Sequence, residues 1–130
     1  MADRKQLNLL KKDVDAWNQW REENPDIVPD LSGADLANSD LNVANFTGAR
    51  LKNANLVMTN LCGADLRGAD LREANLVGAR MIGVDLVKAD LRGADLRTAE
   101  DLTEEQIAET RGNRKTHLPE GLEHPSNWSA

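Results

Sequence analysis

ADLRGADLREANLVG, residues 64–78, reads as three copies of one five-residue unit. Working outward from it, the unit recurs without insertion or deletion from Pro29 to Thr98, fourteen repeats in all. The middle residue of every repeat is large and apolar: twelve leucines with Phe46 and Met81. Two residues before it stands alanine in ten repeats, with Pro29, Ser39, Thr59 and Val84 in the others, so that position demands a small side chain. The residue between them is Asp eight times, Asn four times and Arg at 50 and 80, so it is expected to face water.

A period of five excludes an ordinary α-helix, because five steps leave each leucine about 140° further round than the last and no apolar face forms. A flat strand fails as well, since an odd period sends successive leucines to opposite faces. A chain that turns a corner once per repeat satisfies both constraints. In each repeat the small residue and the central one then point inward, and the remaining two residues make the bend. Glycine ends seven repeats, at Gly33, Gly48, Gly63, Gly68, Gly78, Gly83 and Gly93, with Asn38 and Asn53 at two more. That position calls for positive φ, as in a type II turn.

The units at 64–68, 69–73 and 74–78 resemble the A(D/N)LXX signature of pentapeptide repeat proteins, a family abundant in bacteria. The resemblance implies an all-β solenoid, a right-handed quadrilateral β-helix with four repeats to each square coil. Fourteen repeats would then make about 3.5 coils, stacked to a height of roughly 17 Å. Residues 1–28 are read as an N-terminal capping helix with its lead-in, 29–98 as the solenoid and 99–130 as a short helix and an extended arm, all in one domain.

A solenoid exposes its core and unpaired backbone at each end and so needs caps. Leu7, Leu10, Val14, Trp17 and Trp20 recur at helical spacing, which predicts one helix over 3–23, ended by Pro25. At the other end the next central position falls on Asp101 and Leu102 arrives one residue late, so the stack is expected to stop there. Thr103 and Gln106 form a capping box for a short helix reaching about Thr110, with Gly112 as its C-cap. Beyond it THLPEGLEHPSNW, 116–128, reads as an arm anchored by Leu118, Leu122 and Trp128. Both flanks, 16–36 and the LTxEQ to LPxGLxxPxxW run, resemble segments of family members that carry such caps.

Function has to come from outward positions. The chain has 130 residues and a net charge of −6, of which residues 99–130 carry −4 and the repeats only −1, so no basic face offers itself to nucleic acid. A single Cys62, without zinc-ligand spacing around it, fits a reducing compartment, and the N-terminus, with charges at 3, 4, 5, 11 and 12, is not expected to act as a signal peptide. The chain is therefore expected to be cytoplasmic, with neither nucleic acid nor membrane as partner. His117 and His124 both lie on the arm, no nucleophile or phosphate-loop motif occurs, and we assign no catalytic residue, cofactor or metal. Stacked aspartates such as Asp70 under Asp90 read as a solubilising ladder offset by Arg72 and Arg92.

Apolar residues nevertheless occur where polar ones belong. Val57, Val77, Cys62 and Ile82 follow central residues, and Val43 and Met58 hold corners. Such a patch marks an interaction surface. The arm, through Leu118, Leu122 and Trp128, is its expected cover, with an external protein or a second copy as the alternative. The reading is a non-enzymatic protein-protein interaction or scaffold module, monomer slightly ahead of homodimer. The family also contains DNA mimics that bind a type II topoisomerase, and the alternative reading is a modulator of that kind, which the short and nearly neutral solenoid disfavours.

Overall fold

Every repeat folds as a two-residue turn followed by one bridged residue. The computed structural model describes residues 1–128. Its parallel bridges join residue i to residue i+20, so four repeats close one coil and the Asp/Asn/Arg position builds four ladders. The first runs Asp30, Arg50, Asp70, Asp90, Arg111; the second Asp35, Asn55, Asn75, Asp95, His117; the third Asp40, Asn60, Arg80, Glu100; the fourth Asn45, Asp65, Asp85. Each bridge is isolated: among the described residues no strand extends beyond a single bridged residue, because the chain turns again at once.

All fourteen repeats end on a residue with φ between 57° and 72°, glycine in seven and Asn38, Val43, Asn53, Met58, Glu73, Lys88 or Thr98 in the rest. The next residue's N–H closes the turn onto the central carbonyl, as Ala34 does to Leu31 at 3.0 Å. The central N–H reaches up to the coil above (Leu31 to the Arg50 carbonyl, 2.7 Å), and the bridged residue's N–H reaches down (Arg50 to the Pro29 carbonyl, 2.9 Å). The residue after the centre donates to a side chain instead: Ser32 N–H to the Asp30 carboxylate at 3.0 Å, Cys62 N–H to the Asn60 amide at 3.0 Å. The polar ladder residue thus faces water and also closes an Asx turn, which adds to the expectation from sequence. Arg50 and Arg80 cannot accept, and the N–H groups of Lys52 and Ile82 have no protein partner among the described residues.

Inside the coils the fourteen central side chains are each at most 2% exposed, and the alanines pack between them. Where Thr59 replaces alanine, its hydroxyl donates to the Leu36 carbonyl at 2.8 Å, so the buried polar atom is satisfied.

The expected single N-terminal helix is two, α1 (Arg4–Lys12) and α2 (Val14–Glu23). Asp13 between them is extended, and its carboxylate accepts from Asp15 N–H at 3.0 Å to start α2. The break lets both helices meet the first coil. Gln6 accepts from Asp30 N–H (2.7 Å), Asn18 accepts from Asn45 N–H (2.8 Å), Trp17 Nε1 donates to the Asn45 carbonyl (2.9 Å), and Arg21 donates to the Thr47 carbonyl (2.8 Å). Side chains thereby take the place of a missing coil beneath the first and fourth ladders. Trp17 is fully buried, with its ring 5.9 Å from that of Phe46.

The stack does not stop at Asp101. Ladder pairing resumes at Arg111 on Asp90 and at His117 on Asp95, at spacings of 21 and 22 rather than 20, so residues 99–118 lay down one more, irregular coil. Asp101, at φ 62°, turns the chain outward into α3 (Glu104–Ile107), a detour that absorbs the first extra residue, and the second falls between Arg111 and His117. The capping box of Thr103 and Gln106 forms as expected. The helix ends at Ile107, before Thr110, and Gly112 is not its cap: it lies buried where a Cβ would run into the Trp128 indole.

Candidate interaction surface

The four ladders divide the outside into two kinds of side. Along the first and fourth, Asp-Leu-Arg repeats place an arginine two residues from its aspartate, and both point outward. Arg72 grips Asp70 through two parallel bonds of 2.9 and 2.7 Å, and Arg92 holds Asp90 and Arg67 holds Asp65 in the same way. The arginine hydrogen bonds hold the Asp65 and Asp70 carboxyls below their ordinary values. At Asp90 partial burial pushes the carboxyl up, and the Arg92 fork with the nearby Arg111 more than offsets it. Arg97 forms the same fork with Asp95 at the upper end of the second side and likewise lowers its carboxyl.

The second and third sides differ. Asn55, Asn75 and Asn60 supply their middle rungs together with Arg80, and the residues after the centres are Ala37, Val57 and Val77 on one and Asn42, Cys62 and Ile82 on the other. Val57, Cys62 and Val77 are half-buried, whereas Val43, Met58 and Ile82 stand 55%, 59% and 57% exposed. Val43 leans over Gly63, and Met58 lies across Gly78 so closely that a Cβ there would meet its Sδ. Glycine one coil above thus makes room for a large side chain at the corner below. Val43 and Met58 hold φ of 58° and 57°, a conformation that costs a side-chain-bearing residue about 1–2 kcal/mol, and more for a β-branched one.

Val43, Met58 and Ile82 are thus open to solvent, and the arm does not cover them. It crosses the upper end of the stack instead. Thr116 is buried and donates to the Leu91 carbonyl at 2.8 Å, His124 Nε2 lies 2.8 Å from the Thr116 carbonyl, and Trp128 Nε1 donates to Thr110 Oγ1 at 3.2 Å. Leu118 and Leu122 are half-buried against the core and Trp128 is 9% exposed. The physical reason is the resumed ladder: once Arg111 and His117 pair with the coil below, the arm's anchors are held above the core, where an open end has most apolar surface to cover.

Sequence reasoning missed a gap at that upper end, between the third and fourth sides. Lys88 N–H pairs with the Glu109 carbonyl (2.8 Å) and Met81 N–H with the Glu100 carbonyl (3.0 Å), but between them the N–H groups of Gly83 and Leu86 have no protein partner among the described residues. Gln106 Nε2 donates to the carbonyls of both Met81 (2.7 Å) and Val84 (3.1 Å). The late arrival of Leu102 was the available signal.

Among the described residues no helix is long and apolar enough to cross a membrane, and no group of three or more His, Cys, Asp or Glu side chains could hold a metal ion. The family model for pentapeptide repeats matches eight copies over residues 30–68 and 64–99. A crystal structure of a pentapeptide repeat protein from the cyanobacterium Cyanothece is similar, at 35% identity and a TM-score of 0.60, over 68% of this chain and 60% of that one. The present chain thus spans somewhat under two thirds of that neighbour's length. A second pentapeptide repeat protein, from Nostoc, matches at 29% identity over 81% of this chain and 86% of its own, with a TM-score of 0.41. A plasmid-mediated fluoroquinolone resistance protein matches at 16% identity over 68% of this chain and 53% of its own, with a TM-score of 0.39. No curated protein matches. The chain belongs to the pentapeptide repeat family.

Proposed function

We propose that this protein is a non-enzymatic interaction module: a right-handed quadrilateral β-helix that presents its second and third sides to a protein partner in the cytoplasm, itself a monomer. The observation that carries the reading is the set of three large apolar side chains, Val43, Met58 and Ile82, open to solvent on the two sides whose middle rungs are mostly amides. Two of them sit at positive φ, where glycine or asparagine would relieve the backbone, and strain kept at a surface position points to a role outside folding. The charged sides support no duplex mimicry, since the arginine forks neutralise the aspartates there.

The test uses Val43→Asn with Met58→Asn. Asn38 and Asn53 already hold equivalent corners, so the fold is expected to survive. Affinity capture with quantitative mass spectrometry should find a protein held by the wild type, lost by this double variant and kept by Lys52→Ser on the first side. A partner retained equally by the double variant refutes the surface. Inhibition of gyrase supercoiling by the wild type at micromolar concentration would overturn the reading in favour of topoisomerase modulation.

A further inference from the structure

The gap at the upper end of the third and fourth sides is an open groove of about 810 Å³. Ile82, Leu86 and Leu102 contribute its apolar wall and Asp85, Asp101 and Glu105 its charge, with no lysine or arginine in the lining. Asp101 and Glu105 make no ion pair among the described residues, and Asp85 has only a 3.7 Å contact to Arg67. In the coils below, the path of this groove is filled by backbone: Gly63 N–H donates to the Ile82 carbonyl (2.8 Å) and Leu66 N–H to the Asp85 carbonyl (2.8 Å). One coil up, the corresponding donors, Gly83 and Leu86 N–H, find nothing, because residues 101–108 detour outward through α3. The carbonyls at this edge are already taken by Gln106. The groove therefore offers backbone donors, an apolar floor and unpaired carboxylates, and asks its occupant for carbonyls, an apolar side chain and positive charge.

We propose that this groove binds an extended, lysine- or arginine-bearing segment of a partner protein, which completes the missing rung of the third and fourth sides by backbone pairing to Gly83 and Leu86. The proposal rests on the interaction reading above and names the chemistry of the partner. Ile82 is one of the exposed apolar residues and also lines the groove, so one partner can span the two. Charge complementarity selects a basic segment over a second copy of this chain, whose net charge is −6.

The test is a titration of the full-length, nitrogen-15-labelled protein with a blocked heptapeptide alternating lysine with valine and leucine, and with its glutamate counterpart. The lysine peptide should shift the Gly83 and Leu86 amide resonances and slow their hydrogen exchange about tenfold. Asp101→Asn with Glu105→Lys, both at exposed positions, should weaken binding about fivefold or more, and Val43→Asn with Met58→Asn should leave it unchanged. Absence of shifts at millimolar peptide, shifts centred on the first or second side, equal binding of the glutamate peptide, or undiminished binding by the Asp101/Glu105 variant each overturns the proposal. Self-association of the unliganded protein through Gly83 and Leu86 does so too, in favour of a second copy. If the peptide fails while the Val43/Met58 variant still releases its captured partner, the groove falls and the interaction surface stands.

Discussion

Trp17 is where helix and solenoid are joined, and Trp17→Ala measures how much that joint is worth. The indole is fully buried, its ring tilted against those of Trp20 and Phe46 at 5.3 and 5.9 Å, and its Nε1 is the donor that the Asn45 carbonyl would otherwise find in a coil below. Removing the ring costs about 3–5 kcal/mol in lost burial and residual cavity. The Asn45 carbonyl then loses its partner, adding about 1 kcal/mol. Together these approach the whole stability of many domains of this size. Trp17→Phe keeps most of the ring contact and should cost about 1–2 kcal/mol, mainly for the lost donor. Because a solenoid is held by nearest-neighbour contacts, the damage should be local. Urea denaturation gives the magnitude, and hydrogen exchange gives the location: the Leu36, Leu41 and Phe46 amides should lose protection first, while Leu71 and Leu76 keep theirs. A Trp17→Ala protein destabilised by less than about 1 kcal/mol, or one that loses protection evenly over all coils, would refute the account of the cap.

Arg50→Asn should stabilise the protein by about 0.5–1 kcal/mol, seen as a higher urea midpoint, because an amide at this position gives Lys52 N–H the acceptor found in twelve other repeats. Gly112→Ala should cost about 1–3 kcal/mol and red-shift the tryptophan emission, since its Cβ and the Trp128 indole claim the same space. Stability should fall on acidification: the Asp65, Asp70, Asp90 and Asp95 carboxyls are all lowered in the folded protein, so their contribution is present above the unfolded value of about 3.9 and disappears as pH drops through the folded values. A melting temperature that holds or rises between about pH 4 and pH 2 would contradict the forks as a source of that stability, and Arg92→Ala should flatten the decline by releasing Asp90.

The family and the repeating unit were legible in the sequence because each repeat states its constraints locally. A leucine inward, a small residue two before it and a positive-φ residue two after it leave one way for the chain to go, and fourteen repetitions average out the exceptions. The patch residues were legible for the same reason: once the register is known, Val43, Met58 and Ile82 are placed outside by counting. The ends were not, because the repeat has no authority there and competing contacts decide. Apolar spacing through residues 3–23 cannot tell one helix from two, since both bury Leu10 and Trp17; the break at Asp13 follows from which first-coil donors and acceptors each helix must reach. The loss of register at Asp101 looked like an ending, and only the fold shows the chain rejoining the ladders at Arg111 and His117 after a detour. That rejoining carries Trp128 over the upper end, leaves the apolar sides bare and opens the groove beside Gly83 and Leu86. Period and inward pattern are properties of a repeat and its neighbours along the chain, whereas cap, cover and gap depend on groups several repeats apart competing for the same unpaired backbone and open core.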